Sequence, residues 1–177
     1  MIIAIRHLPT EMNAQHRIQG RLDTDILPIE NDSARLINSN VHFIKKHYDS
    51  ERDIVLCSNL TRTKSTAKAY GFYEYKVDEL LNELDFGMFE GGLKSDIVLE
   101  FGDKWIDRPS DIVMGESIKD LSCRVTHLVD SYSHYRNIII FGHGAWIRAM
   151  NAIYNHGNLD AMNKTPIENN TMITVNI

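Results

Sequence analysis

The sequence predicts an α/β domain of three layers, with helices on both faces of a mostly parallel central sheet. Three observations predict it. Apolar runs of strand length recur along the chain, MIIAI at 1–5, DIVLC at 53–57 and NIIIF at 137–141, as strands buried on both faces do. Stretches with apolar residues at helical spacing lie between them. The segments RHLPT, SNLTR and GHGAW follow the three runs and place arginines, histidines and glycines where open α/β sheets bind ligands, just beyond the carboxyl ends of the strands.

Taken in order, residues 1–5 form the first buried strand. From Asp32 to Tyr48, the apolar positions Ile37, Val41, Ile44 and Tyr48 make one face of an amphipathic helix. Residues 53–57 are the second strand. A helix over 60–70 follows, closed by Gly71, which suits a left-handed cap. YEYKV at 73–77 alternates and predicts a short strand. Residues 78–115, interrupted by glycines and Pro109, predict a long irregular excursion over one end of the sheet. Leu121, Val125, Leu128 and Tyr132 mark a helix over 117–135 that starts near Glu116 or Ser117. The strand at 137–141 leads into a helix over 145–155, and TMITVNI at 171–177 alternates as a final strand. Repeats, low-complexity tracts and linkers are absent, and 177 residues suit one domain spanning 1–177.

Composition narrows the partners. A net charge of −5 argues against nucleic acid and against an anionic membrane surface, both of which demand a basic face. Cys57 and Cys123 stand alone, without the paired spacing of a thiolate zinc site. MIIAI is too short for a secretory core and is ended by Arg6, so a cytoplasmic location is expected. The motifs G-x-S-x-G, GxxxxGK[ST] and HExxH do not occur. Oligomeric state is left open.

The strand ends carry the chemistry. Brought together, Arg6, His7, Arg62 and His143 would make a compact, donor-rich, cationic pocket for an anion, and phosphate fits the guanidinium fork best. A neutral imidazole facing phosphorus can also serve as nucleophile. Two neighbouring guanidiniums oppose a metal cation.

These segments resemble the histidine phosphatase superfamily, which includes the phosphoglycerate mutases and many small phosphatases. RHLPTEMN is similar to the opening RHG-x-T-x-x-N, RIQGRLDTDI to Q-G-x-x-D-x-x-L, and CSNLTRTKSTA to S-x-L-x-R-x-x-x-T-A. LNELDFGMFEG is similar to L-x-E-x-x-x-G-x-x-E-G, GESIKDLSCRV to the family's G-E-S segment, and IIIFGHGAWIRAM to its last motif. The resemblance covers nearly the whole chain, in order. It implies that His7 becomes phosphohistidine, that Arg6, Arg62 and His143 hold the phosphoryl oxygens, and that Glu83 protonates the leaving oxygen. Asn13 would be a further phosphate contact and Thr10 a supporting position. It implies no metal and no other cofactor. The implied activity is hydrolysis of a small phosphorylated metabolite; the alternatives are a phosphoglycerate mutase-like phosphotransferase and an inactive phosphate-binding protein. Hydrolysis is expected over transfer because the chain ends at Ile177, without the extra cover of the family's mutases.

One departure is Leu8, where the family has glycine; a side chain there is expected to narrow the pocket. Among residues near Glu83, the carboxylates Glu79, Asp85 and Glu90 read as surface charge. Arg17 and Arg21 read either as pocket-mouth residues or as surface charge, and Trp105 and Trp146 as packing residues.

Overall fold

The computed structural model describes all 177 residues. A five-stranded sheet runs in the order β3-β2-β4-β1-β5. Its strands are β1 (Ile2–Arg6), β2 (Ile54–Cys57), β3 (Lys76–Val77), β4 (Ile138–Gly142) and β5 (Met172–Val175). β1, β2 and β3 are joined through β4 and β2 in parallel, while β5 lies antiparallel on β1 with Ile2 opposite Val175. Parallel strands need crossover helices, and these supply both outer layers.

The apolar runs face two ways, because successive side chains in a strand point to opposite faces. Ile2, Ala4, Leu56, Ile138 and Ile140 join a core cluster with α6 (Ile118–Tyr132) and α7 (Gly144–His156). Ile3, Ile5, Val55, Cys57, Ile139 and Phe141 face the other way, onto Ile37 and Ile44 of α2 (Asn31–His47) and Ala67 of α3 (Thr61–Ala69). That double burial is why the strands are apolar without alternation, and the three-layer prediction holds.

Local signals explain most boundaries. α6 starts where Ser117 accepts a hydrogen bond from the Asp120 amide at 2.9 Å. α3 ends at Gly71, whose φ of 83° is the left-handed conformation expected of it. Two predictions change. The strand expected over 73–77 shrinks to Lys76–Val77, because Tyr73 is exposed and packs on nothing that would hold the pleat. The irregular excursion contains two further helices, α4 (Lys94–Phe101) and α5 (Lys104–Asp107), and a four-residue helix α1 (Glu11–Ala14) follows β1. No helix is long and apolar enough to cross a membrane.

Candidate active site

The parallel strands β1, β2 and β4 end side by side, so the segments after them share one hollow of about 310 Å³. Arg6, His7, Asn13, Arg62 and Glu83 line it. His143 is fully buried directly behind, its ring centroid 5.4 Å from that of His7. The predicted residues therefore converge.

Local hydrogen bonds orient each one. His7 Nδ1 lies 2.7 Å from the Leu8 carbonyl oxygen. A carbonyl only accepts, so Nδ1 carries the proton and Nε2 holds the free lone pair. Burial, then the charges of Arg62 and Arg6, hold the His7 pKa well below the ordinary imidazole value of 6.5. The ring is thus neutral at physiological pH. His143 is also held neutral, by burial first and Arg62 second. Its Nδ1 accepts from Arg62 Nε at 3.2 Å, which leaves Nε2 to donate to Ser58 Oγ at 2.7 Å. Ser58 Oγ in turn accepts from the Leu60 amide at 3.1 Å.

Arg62 is wholly buried without a salt bridge, and burial pushes its pKa down to about 10. Two backbone carbonyls, Gly20 (2.7 Å) and Leu22 (2.8 Å), accept from its terminal nitrogens and hold the fork in place. Arg6 donates to the Ile167 carbonyl at 2.5 Å, and its Nε is the one fully buried side-chain polar atom without a partner. Such an orphan is rare and points to a ligand at that spot. Glu83 accepts from the amides of Leu84 (2.9 Å), Ala145 (3.1 Å) and Trp146 (3.2 Å). The last two are unpaired first-turn amides of α7, so the helix start anchors this carboxyl. Glu79, Asp85 and Glu90 bind amides elsewhere and stay out of the hollow.

Thr10 caps α1 and forms a reciprocal capping box with Asn13. Asn13 Oδ1 accepts from Thr10 Oγ1 at 3.1 Å and Asn169 Nδ2 at 3.2 Å, so its amide nitrogen is left for the hollow. Leu8 does not narrow the pocket. It follows β1 into the α2–α3 layer, where it is 1% exposed, while its amide donates to Thr66 Oγ1 at 2.9 Å. Its φ is not positive, so the glycine's freedom is not needed. Arg17 lines the hollow; Arg21 instead pairs with Glu116 at 3.6 Å. Trp146 packs in the core as expected, but Trp105 also reaches the hollow.

Sequence reasoning missed Ser58, Asn169, Lys94, Arg148 and Asn163. Ser58 and Arg148 had a readable signal. Ser58 is the first residue beyond a strand, and Arg148 lies four residues after Gly144, on the same helix face. Asn169, whose Nδ2 donates to the His7 carbonyl at 2.9 Å, sits in a loop with no pattern.

Residues 2–177 match the histidine phosphatase superfamily (branch 1). A Hydrogenobacter thermophilus protein named "Putative phosphoserine phosphatase 2" is 30% identical over 160 residues, 82% of this chain and 74% of its own. A Mycobacterium tuberculosis acid phosphatase is 25% identical over 152 residues, covering 84% of this chain and 72% of its own. The solved structure of a mycobacterial glucosyl-3-phosphoglycerate phosphatase aligns at a TM-score of 0.75 and 22% identity over 97% of this chain and 90% of that one. An extent of match that leaves out only Met1, together with the imidazoles and guanidiniums gathered at three strand ends, makes this chain a member of the histidine phosphatase superfamily, branch 1.

Proposed function

We propose that this protein hydrolyses small phosphomonoesters through a phosphohistidine at His7, without a metal. The observation that carries the reading is the fixed tautomer of His7: Nδ1–H is held by the Leu8 carbonyl, so a neutral ring presents Nε2 in a hollow walled by Arg6 and Arg62. Phosphoryl transfer demands little more than in-line placement and stabilisation of charge on the equatorial oxygens. In the proposed cycle, Nε2 forms a bond to phosphorus as the ester P–O bond breaks. Glu83 gives its proton to the departing alcohol oxygen. Water then attacks phosphorus, passing a proton to Glu83, and the P–N bond breaks to release phosphate. Arg6, Arg62 and the Asn13 amide hold the oxygens throughout. His143, both of whose ring nitrogens are taken up by Arg62 and Ser58, steadies the Arg62 fork from behind rather than touching the phosphoryl group in the way the resemblance implied. A single domain over 1–177 and a cytoplasmic location complete the reading; the unpaired thiols of Cys57 and Cys123 suit a reducing compartment.

The test is hydrolysis of a panel of phosphomonoesters after chelator treatment, with wild type beside His7→Ala. Wild type is expected to retain activity and His7→Ala to lose at least ~10³-fold. Activity surviving in His7→Ala overturns the covalent route. Wild type inert on every ester leaves only phosphate binding.

A further inference from the structure

The hollow holds more positive charge than one phosphoryl group requires. Beyond Arg6 and Arg62, it is lined by Arg17, Lys94 and Arg148, against the carboxylates of Glu83 and Glu168 alone. None of these five cations makes a salt bridge. Arg148 is the most constrained of the extra three. It projects from the first turns of α7, and its Nε donates to Asn163 Oδ1 at 3.1 Å. Asn163 is itself held, its Nδ2 donating to the Trp105 carbonyl at 2.7 Å. The terminal nitrogens of Arg148 have no partner in the protein.

The two guanidiniums of Arg6 and Arg148 crowd the same spot. A methyl group placed on Gly144 would lie 3.3 Å from Arg6 Cζ and 3.4 Å from Arg148 Nη1. Burial pushes the Arg148 pKa down to about 10, so it stays charged near neutrality. Lys94 stands close enough to Arg6 and Arg148 that their charges lower its own pKa, after burial. Glu83 and Glu168 offset part of this charge, but five cations against two carboxylates leave an excess whose cost an anionic ligand relieves. Arg6 and Arg62 already match the two charges of a phosphoryl group.

We propose that Arg148, positioned by Asn163 and joined by Lys94, forms a second anion subsite, so that the preferred substrates are phosphomonoesters whose alcohol carries another anionic group. This rests on the phosphatase reading above. The second group is a carboxylate or a second phosphate, and a hollow of about 310 Å³ keeps it within a few atoms of the ester oxygen.

The experiment measures kcat/KM for wild type, Arg148→Met and Lys94→Met on three esters of similar size: glycerol phosphate, 3-phosphoglycerate and propanediol bisphosphate. Wild type is expected to prefer at least one doubly anionic ester over glycerol phosphate by roughly tenfold or more. Which of the two it prefers identifies the second group. Arg148→Met should bring that selectivity ratio to near one, chiefly through KM. Lys94→Met, at an exposed position, should reduce it by a smaller factor. Equal losses on all three esters would place Arg148 on the transferred phosphoryl group and overturn the subsite. So would a wild type that hydrolyses all three alike.

If wild type hydrolyses none, the phosphatase reading fails and calorimetric binding of the same three esters decides the subsite. Tighter binding of a doubly anionic ester, lost in Arg148→Met, keeps it; equal binding removes it.

Discussion

Single atoms decide whether the hollow can act. Glu83 has its carboxyl pinned by three amides, and it alone among its acidic neighbours lines the hollow. An acid that protonates the leaving oxygen matters most when that oxygen leaves poorly. Glu83→Gln should therefore lower kcat/KM by about 10²- to 10⁴-fold on alkyl phosphates and by far less on p-nitrophenyl phosphate. Steady-state kinetics on both esters check this, and equal losses would assign the proton to another group. The residues that announced themselves in the sequence, Arg6, His7, Arg62 and His143, did so because cationic or proton-exchanging groups recur at or within a few residues of the ends of three buried strands, where packing alone has no use for them. Asn163 announced nothing, and Arg148 only its spacing from Gly144. An arginine within an amphipathic helix reads as solvated surface until the fold shows which way that turn faces, and an asparagine in a loop carries no period at all. Leu8 misled for a related reason: sequence distance from His7 is one residue, but pleating sends the two side chains to different sides.

At the scale of elements, the start of α7 organises the site. Its first-turn amides hold Glu83, its preceding residue is His143, and Gly144 lets two guanidiniums approach the helix backbone. Gly144 has no positive φ, so alanine is welcome to the helix itself. The added methyl would displace Arg6, whose Cζ and Nε both lie 3.3 Å from it. Gly144→Ala is expected to change stability by less than ~1 kcal/mol yet lower kcat/KM roughly tenfold or more. Thermal melts beside kinetics separate the two effects; unchanged kinetics would mean that the Arg6 fork tolerates the shift. The long helices and the three central strands were legible because they are long or buried on both sides. α4 and α5 were not, since α4 buries only Ile97 and α5 buries nothing, which leaves no apolar period to read.

For the whole molecule, the buried imidazoles couple the site to stability. Unfolded, His7 and His143 take up a proton near their ordinary value of 6.5; folded, burial and Arg62 hold both well below it. Below that value the unfolded chain binds more protons than the folded one. Stability is therefore full above about pH 7 and declines on acidification, by up to ~1.4 kcal/mol per pH unit for each ring. Denaturant unfolding between about pH 7 and pH 5 should show this slope in wild type and a shallower one in His7→Gln. Identical slopes would mean that His7 titrates normally. The sheet order has a consequence of a different kind. β1, which carries His7 at its tip, pairs only with β4 and β5, and both are encoded in the last quarter of the chain. During translation β1 thus emerges well before either of its neighbours and waits for them. The nascent protein stays inert while its IIAI edge is exposed to other chains, so slow synthesis should favour chaperone capture or aggregation over early maturation.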